Sequence, residues 1–123
     1  MLDVSFYKDK KVLITGHTGF KGSWMCQLLI MAGAKVTGYA LEAPTDPSLF
    51  EMCHLADHMQ SVIGDVRDLD HMKKVFDEVQ PEIVIHMAAQ PIVRESYKNP
   101  VYTYETNVMG TVNVLECVRL TSS

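Results

Sequence analysis

The chain has 123 residues, of which 47% are hydrophobic and 21% charged, so it is long enough for one globular domain with a single core. The formal net charge of −4 and the lack of a Lys/Arg run exclude the electrostatic footprint of a nucleic-acid-binding protein. No apolar stretch is long enough to span a membrane, and residues 1–11 lack the apolar core of a signal peptide. The three cysteines have no C-x-x-C spacing, which predicts free thiols in a cytoplasmic protein.

The first half of the chain alternates strand and helix patterns. A β-branched run at 11–15 predicts a first strand that ends in a glycine-rich loop. Residues 20–32 predict a helix that ends at Gly33, and residues 35–41 predict a second strand. A proline-containing loop then leads to a short helix near 48–53.

The second half continues the alternation. Residues 61–63 predict a third short strand, and the apolar spacing at 69–79 predicts a helix. Pro81 ends that helix, and the apolar run 83–85 predicts a fourth, buried strand. A long final helix is predicted over 100–120.

Strands that alternate with helices predict right-handed crossovers and a parallel sheet that is covered on both faces. The predicted fold class is therefore α/β, a Rossmann-type doubly wound sheet with the strand order 3-2-1-4. Such a sheet commonly has about six strands, whereas about four are predicted here. We therefore expect residues 1–123 to be the N-terminal portion of a dinucleotide-binding domain, without its remaining strands and its substrate-binding domain.

The loop between the first strand and the first helix, Thr15–Gly22, carries three glycines at a spacing of three. Gly16 is expected to turn the chain, Gly19 to let the backbone approach a pyrophosphate, and Gly22 to pack the helix tightly on the strand. The N-terminus of the helix adds unpaired N–H groups and the positive end of the helix dipole. A glycine triplet between a strand and a helix predicts dinucleotide binding.

The G-x-x-G-x-x-G spacing resembles that of the extended short-chain dehydrogenase/reductase superfamily, and three further blocks agree with it. Residues 64–68 follow the third strand, where the Asp of that superfamily reaches the adenine. Residues 86–90 end the fourth strand, where small residues let the cofactor pass, and residues 106–111 contain the Asn that supports the active site. The resemblance implies that the cofactor-binding residues are Gly16, Thr18, Gly19, Phe20, Lys21, Gly22, Asp65, Val66, Ala88, Ala89, Gln90, Thr106 and Asn107.

Four segments resemble the CDP-glucose 4,6-dehydratases in particular: 16–24, 38–42, 47–51 and 88–97. The resemblance implies an NAD-dependent lyase that converts CDP-glucose to a CDP-4-keto-6-deoxy sugar, in the nucleotide-sugar metabolism of O-antigen biosynthesis. It implies that hydride leaves C4 of the sugar, that water leaves across C5 and C6, and that the hydride returns to C6. A nucleotide-sugar 4-epimerase or a GDP-mannose-type dehydratase is the alternative within the same class.

Two features depart from this pattern. The resemblance implies that the acid that binds the cofactor ribose would fall at position 40, where this chain has Ala40, and Glu42 is the nearest acid. No Arg is present there to bind the 2′-phosphate of NADP, and this absence favours NAD. The superfamily's catalytic Tyr-x-x-x-Lys pair is expected beyond this chain, so no catalytic residue is assigned. Tyr7 and Lys11 match its spacing by chance, because they precede and begin the first strand. A non-catalytic dinucleotide-sensing module and an inert truncated product are therefore further alternatives.

Other polar residues have simpler interpretations. His17 either faces the cofactor or only shapes the loop, and His86 is expected to be a buried residue whose hydrogen bonds are satisfied. Residues 94–97 are placed in a loop that would face the substrate. One cluster of potential metal ligands has no second group to complete a site, so no metal is predicted. Its members are Cys53, His54, Asp57 and His58.

The last helix is apolar on two faces, which predicts that two partners cover it. One stripe consists of Val101, Tyr104, Val108, Val112, Leu115 and Val118. The second consists of Met109, Val114 and Leu120. One face is expected to pack on the sheet, and the resemblance implies that the other packs on the matching helix of a second subunit in a homodimer. In the first helix, packing on the sheet is expected of Trp24, Met25, Leu28 and Leu29.

Overall fold

The computed structural model describes residues 3–121, and within them a parallel sheet carries the fold. Its strands are β1 (Lys11–Thr15), β2 (Lys35–Ala40), β3 (Gln60–Ile63) and β4 (Ile83–His86). The order β3-β2-β1-β4 and the parallel register of every pair confirm the predicted Rossmann-type sheet. Strand β1 lies between two neighbours, so its residues after Lys11 are buried.

Each strand is followed by one or more helices. They are α1 (Phe20–Met31), α2 (Leu49–Met52), α3 (Leu69–Val79), α4 (Val93–Lys98), α5 (Pro100–Tyr104) and α6 (Gly110–Leu120). A π-helical turn, Glu105–Met109, joins α5 to α6. The residues at both junctions have right-handed α-helical φ and ψ angles, so the three segments form one continuous helix. The predicted helix over 100–120 is therefore confirmed, with a π turn that its sequence did not indicate. None of the helices between residues 3 and 121 has the length and apolarity needed to cross a membrane.

The helix ends follow from local sequence. Gly33, which follows the C-cap residue Ala32 of α1, has a φ of 85°, the left-handed conformation that glycine adopts at helix C-termini. Asp68 caps α3, because its carboxylate accepts a hydrogen bond from the backbone N–H of His71. Gln80 has a φ of 50° and ends α3 directly before Pro81, as predicted.

The prediction of a loop at 94–97 was wrong, since these residues belong to α4. A helix of this length, between Pro91 and Pro100, is too short to show a periodic apolar pattern. Asn99 separates α4 from α5, where its side-chain oxygen accepts a hydrogen bond from the N–H of Tyr102 at 3.2 Å.

The two faces of the sheet have separate cores. Leu13 and Tyr39 point to the face covered by α3 and α6, whereas Val12 and Ile14 point to the face covered by α1. This alternation follows from the two-residue period of a strand. Both faces of β1 are therefore apolar, as expected for a central parallel strand.

Helix α1 packs on the sheet through a narrower face than predicted. Leu29 is buried, but Trp24 is 57% and Leu28 44% exposed, so the prediction was wrong for these two side chains. The buried residues of α1 are Gly22, Ser23, Cys26 and Leu29. Their spacing of three and four defines the packed face, and small residues in it let α1 approach the sheet closely. The apolar residues on the other sides of α1 concealed this face in the sequence.

The last helix buries small and polar residues rather than either predicted stripe. Its buried face consists of Thr106, Gly110, Asn113, Val114 and Cys117. All six side chains of the first stripe are exposed, as are Met109 and Leu120 of the second, so only Val114 packs as predicted. As expected, the last helix has an apolar face that no other part of the described chain, residues 3–121, packs against.

Candidate dinucleotide-binding site

The glycine loop turns sharply where β1 ends. Gly16 has a φ of 80°, and a Cβ there would lie 2.8 Å from the backbone nitrogen of Ala88. A Cβ on Gly22 would overlap the carbonyl oxygen of Gly16, so at this position α1 packs against the loop rather than against the strand as predicted. Both positions therefore exclude any larger residue, and they bring the loop against the end of β4.

Gly19 lies on the open side of the same loop. A Cβ there would meet only the carbonyl oxygen of Gly16, at an ordinary contact distance of 3.5 Å. Gly19 is also the N-cap of α1, and no side chain caps this end. The N–H groups of Phe20–Gly22 belong to the first turn and have no partner within the helix. Phe20 and Lys21 are exposed, so this end of α1 is open to an anion.

His17 shapes the loop and does not face outward. Its ring is fully buried, its Nε2 lies 2.7 Å from the hydroxyl of Ser61, and its edge packs against Phe50. The absence of a side chain on Gly38 makes room for the ring. Burial lowers the pKa of His17 to about 4, so the ring is neutral at pH 7.

The segment that follows β2, residues 42–46, forms one wall of an open cleft of about 560 Å³. The hydroxyl of Thr18 donates a hydrogen bond of 2.8 Å to the carbonyl of Leu41, which ties the glycine loop to this wall. The residues that line the cleft include three carboxylates, Glu42, Asp46 and Glu51, and no Lys or Arg. Ala40, the position at which the resemblance implies a ribose-binding acid, is buried.

The end of β3 carries Asp65 in an ion pair. Arg67 binds both carboxylate oxygens of Asp65 through its side chain and also donates to Glu105 at 3.1 Å. The guanidinium of Arg67 lies 4.8 Å from the ring centroid of Tyr102, in a cation–π contact. Hydrogen bonds from Arg67 hold the pKa of Asp65 below its usual value, so this carboxylate is ionised at neutral pH.

Two buried side chains fix the backbone at the same strand end. The Tyr39 hydroxyl donates to the carbonyl of Asp65 at 2.8 Å, and the Asn113 amide donates to the carbonyl of Val66 at 2.9 Å. A Cβ on Gly110 would lie 2.6 Å from a methyl group of Val66, so α6 approaches this backbone closely. The position of Asp65 and Val66 is therefore set by the sheet and by the last helix.

The end of β4 is bound to β1 through side chains. The hydroxyl oxygen of Thr15 accepts hydrogen bonds from the N–H groups of Met87 and Ala88 at 3.0 and 3.1 Å. His86 bonds Thr15 through Nδ1 at 2.6 Å and Thr111 through Nε2 at 3.1 Å. The prediction that the hydrogen bonds of His86 are satisfied is confirmed, but the residue is half-buried rather than buried. Its partial burial lowers its pKa.

The π turn presents Asn107 to the same segment. The side-chain oxygen of Asn107 accepts from the N–H of Gln90 at 2.7 Å, and its amide donates to the carbonyl of Gln90 at 3.0 Å. Thr106, one residue earlier, is buried and its hydroxyl has no partner among the described residues. A π turn shifts side chains relative to a regular helix and is common at functional sites.

The structure brings most of the predicted cofactor residues to one edge of the sheet, because they follow the carboxyl ends of β1, β3 and β4. Thr106 and Asn107 belong to the π turn, from which Asn107 contacts the segment after β4. Four residues of this edge were missed by the sequence interpretation: Thr15, Arg67, Thr111 and Asn113. Their roles depend on side-chain contacts with particular partners, most of them far away along the chain, and one sequence gives no signal of such pairs.

Two other motifs lie away from this edge. Lys11 begins β1 and Tyr7 precedes it, at the opposite end of the strand from the glycine loop. This placement agrees with the interpretation of the Tyr-x-x-x-Lys match as chance. Between residues 3 and 121 no group of three or more His, Cys, Asp or Glu side chains is placed to hold a metal ion.

Comparison with known proteins identifies the family. The family model described as GDP-mannose 4,6 dehydratase matches residues 13–123. The chain belongs to the GDP-mannose 4,6 dehydratase family. It is 57% identical, over 97% of its length, to a Salmonella typhimurium protein named CDP-glucose 4,6-dehydratase, which confirms the resemblance found in the sequence. The chain covers 33% of that relative, so it spans about a third of the length of the curated protein that it matches.

Solved structures of similar fold agree with this family assignment. An epimerase from Methanothermobacter thermautotrophicus superposes with a TM-score of 0.83 at 31% identity, over 97% of this chain and 34% of that one. A UDP-glucose 4-epimerase from Brucella ovis, solved in complex with NAD, gives a TM-score of 0.75 at 30% identity, over 89% and 32%. The dehydratase family fold is thus shared with NAD-bound epimerases.

Proposed function

We propose that this chain is the NAD-binding portion of a nucleotide-sugar 4,6-dehydratase that acts on CDP-glucose. The shape of the glycine loop carries the cofactor part of this proposal, and the 57% identity to the Salmonella CDP-glucose 4,6-dehydratase supports the reaction and the substrate. The loop is closed against β4 at Gly16 and against α1 at Gly22, yet it is open at Gly19 and at the first turn of α1. A pyrophosphate needs close backbone approach and free N–H donors, and this open side offers both.

The adenosine half of the cofactor is proposed to extend from the loop towards β2 and β3. The ionised carboxylate of Asp65 would accept a hydrogen bond from the amino group of adenine, and Val66 would contribute its backbone. Arg67 holds that carboxylate in one orientation, which supports its use as a fixed acceptor. Thr18 and Glu42 line the cleft between the loop and β2, where the ribose is proposed to lie.

The acidic cleft supports NAD rather than NADP. A 2′-phosphate placed near Glu42, Asp46 and Glu51 would meet three carboxylates and no cation from the lining residues. The ribose hydroxyls of NAD carry no charge and can donate hydrogen bonds to a carboxylate. The proposed cofactor is therefore NAD, with Glu42 in the role that Ala40 cannot fill.

The nicotinamide half is proposed to pass along the segment Ala88–Gln90, where the small side chains of Ala88 and Ala89 leave the backbone accessible. Asn107 clamps the backbone of Gln90, and the unpartnered hydroxyl of Thr106 has free hydrogen-bonding capacity. When bound, NAD would supply a reversible hydride acceptor for converting CDP-glucose to a CDP-4-keto-6-deoxy sugar. The catalytic groups and the sugar site are proposed to lie in further parts of the enzyme, so that this chain by itself binds cofactor without turnover.

A homodimer is proposed for the complete enzyme. The exposed stripe from Val101 to Val118 on the last helix would otherwise leave a continuous apolar face in water. The matching helix of a second subunit is the proposed cover. The cysteines Cys26, Cys53 and Cys117 are free thiols, which supports a cytoplasmic location.

A nucleotide-sugar 4-epimerase is the second candidate. It is favoured by the solved structures, which include UDP-glucose 4-epimerases. The 57% identity to the Salmonella dehydratase exceeds the 30% identity to the Brucella epimerase, which supports the dehydratase. A dinucleotide-sensing module would bind NAD in the same way and would differ only in lacking the catalytic Tyr/Lys pair.

Calorimetric titration of the chain with NAD⁺ and with NADP⁺ tests the cofactor proposal. Saturable binding that favours NAD⁺, and a reduced preference in Glu42→Gln, are expected because the carboxylate both binds ribose and repels a 2′-phosphate. Glu78→Gln, on α3, is the matched control and should leave the preference unchanged. Equal affinity for both dinucleotides would contradict the assignment of NAD.

A further inference from the structure

The hydrogen bonds around Thr15 fix the proton positions of His86. The Thr15 hydroxyl oxygen accepts from the N–H groups of Ala88 and Met87, and the Met87 N–H is shared with the backbone carbonyl of Thr15 at 3.2 Å. A hydroxyl has two lone pairs and one hydrogen, so both of its acceptor positions are occupied. Its hydrogen is left for Nδ1 of His86, 2.6 Å away. Nδ1 must therefore be an acceptor without a proton.

The other ring nitrogen then carries the proton. Nε2 of His86 lies 3.1 Å from the Thr111 hydroxyl, which itself donates to the carbonyl of Asn107 at 2.7 Å. The Thr111 hydroxyl hydrogen is used by Asn107, so this hydroxyl can only accept from Nε2. From the Thr15 hydroxyl through the His86 ring to Thr111, each hydrogen then has one acceptor, and the donors point in one direction. A second proton on the ring would face the Thr15 hydroxyl hydrogen, and burial also lowers the pKa of His86.

We propose that His86, as a neutral ring protonated at Nε2, is the positioning residue that sets the segment from Met87 to Gln90. The segment is held at its start through Thr15 and at its end through Asn107, and both connections converge on the His86 ring. This proposal rests on the proposed function for the identity of the ligand that the segment holds.

The position of the segment from Met87 to Gln90 matters because this segment contacts the glycine loop. A Cβ on Gly16 would lie 2.8 Å from the backbone nitrogen of Ala88, so the glycine loop and the end of β4 are in direct contact. The bond from Ala88 to Thr15 sets this separation, and Thr15 directly precedes Gly16. Loss of the His86 bond frees the Thr15 hydroxyl to rotate, and the spacing between the two cofactor-facing segments is then no longer fixed.

The tautomer is measured first, on the unmodified chain. Long-range ¹⁵N–¹H correlation spectra at neutral pH distinguish the two nitrogens of each imidazole ring. The proposal expects His86 to be neutral, with a protonated Nε2 and an unprotonated Nδ1. A proton on Nδ1, or an imidazolium, would overturn it. This measurement needs neither a variant nor a dinucleotide.

Two substitutions then separate the two bonds. An Asn side chain places its amide near the position of Nδ1, and a Gln side chain reaches that of Nε2. His86→Asn therefore keeps an acceptor for Thr15, whereas His86→Gln keeps a donor for Thr111. Hydrogen exchange of the Ala88 amide is expected to accelerate about tenfold in His86→Gln and less in His86→Asn. His58→Gln, at an exposed histidine, should leave it unchanged.

Exchange at Ala88 that is equally slow in His86→Gln and in the parent would overturn the proposal. Should neither His86 variant fold, the tautomer of the unmodified chain decides. The affinity for NAD⁺ is expected to fall about tenfold in His86→Gln and less in His86→Asn. A parent chain that binds no dinucleotide contradicts the proposed function, whereas the tautomer and exchange results judge His86 independently.

Discussion

The two segments that would enclose a cofactor are built on different physical principles. The glycine loop is held by shape, because Gly16 and Gly22 leave no room for even one additional carbon. The segment from Met87 to Gln90 is held by hydrogen bonds from side chains, which come from β1, β4 and the last helix. A site held by shape should fail on any enlargement, whereas a site held by bonds should tolerate a substitution that preserves donors and acceptors.

The largest effect is expected from Gly22→Ala. The added methyl group overlaps the carbonyl of Gly16, and both partners are backbone, so the free energy of unfolding should fall by about 3 kcal/mol or more. Chemical denaturation measures this loss. Gly19→Ala is the matched control: its methyl group has room, so stability should change by less than about 1 kcal/mol, while NAD⁺ binding weakens. Equal destabilisation by both substitutions would contradict the different tasks of the two glycines.

Thr15→Val tests the segment held by bonds. The valine has the same shape but leaves the N–H of Ala88 without its acceptor and the ring of His86 without its donor. The free energy of unfolding should fall by about 1–3 kcal/mol, as for other buried polar groups that lose a partner. Thr15→Ser keeps the hydroxyl and should recover most of this loss. If serine is as destabilising as valine, the methyl group and not the hydrogen bonding holds this strand end.

The buried ring of His17 predicts a dependence of stability on pH. Its pKa is about 4 in the folded chain but about 6.5 when unfolded, so the unfolded chain binds the extra proton between these values. Stability should therefore be constant above pH 6.5 and fall by about 2 kcal/mol between pH 6.5 and pH 5. In His17→Gln this slope should shrink, whereas His54→Gln, at an exposed position, should retain it. An unchanged slope in His17→Gln would show that the titration of His17 does not cause the loss of stability, which would contradict the lowered pKa of the buried ring.

The smallest effect on stability is expected from Arg67→Gln. The ion pairs of Arg67 are partly exposed, so their loss should cost less than about 1 kcal/mol in unfolding free energy. The affinity for NAD⁺ should fall more clearly, because Asp65 loses the group that orients it. Arg119→Gln removes an exposed ion pair with Glu116 and serves as the control for charge alone. An NAD⁺ affinity that responds equally to both substitutions would argue against an orienting role for Arg67.

The same contrast explains what the sequence could predict. Glycine spacing reports backbone shape directly, so the loop at Thr15–Gly22 and the strand order were predictable from residue types. The network of His86 depends on partners 25 and 71 positions away, which no local pattern reveals. Where apolar residues lie on all sides of a helix, their pattern does not indicate which side is buried. Trp24 and Leu28 of α1 were therefore predicted to pack on the sheet, but they are exposed.

The most direct test of the proposed site is a titration of ¹⁵N-labelled chain with NAD⁺, followed by amide chemical shifts. The largest changes are predicted at Gly19–Gly22, at Asp65 and Val66, and at Ala88–Gln90, with little change on the exposed stripe of the last helix. Saturable shifts confined to other residues, or no shifts in a folded chain, would contradict the assignment of this edge of the sheet as the NAD site.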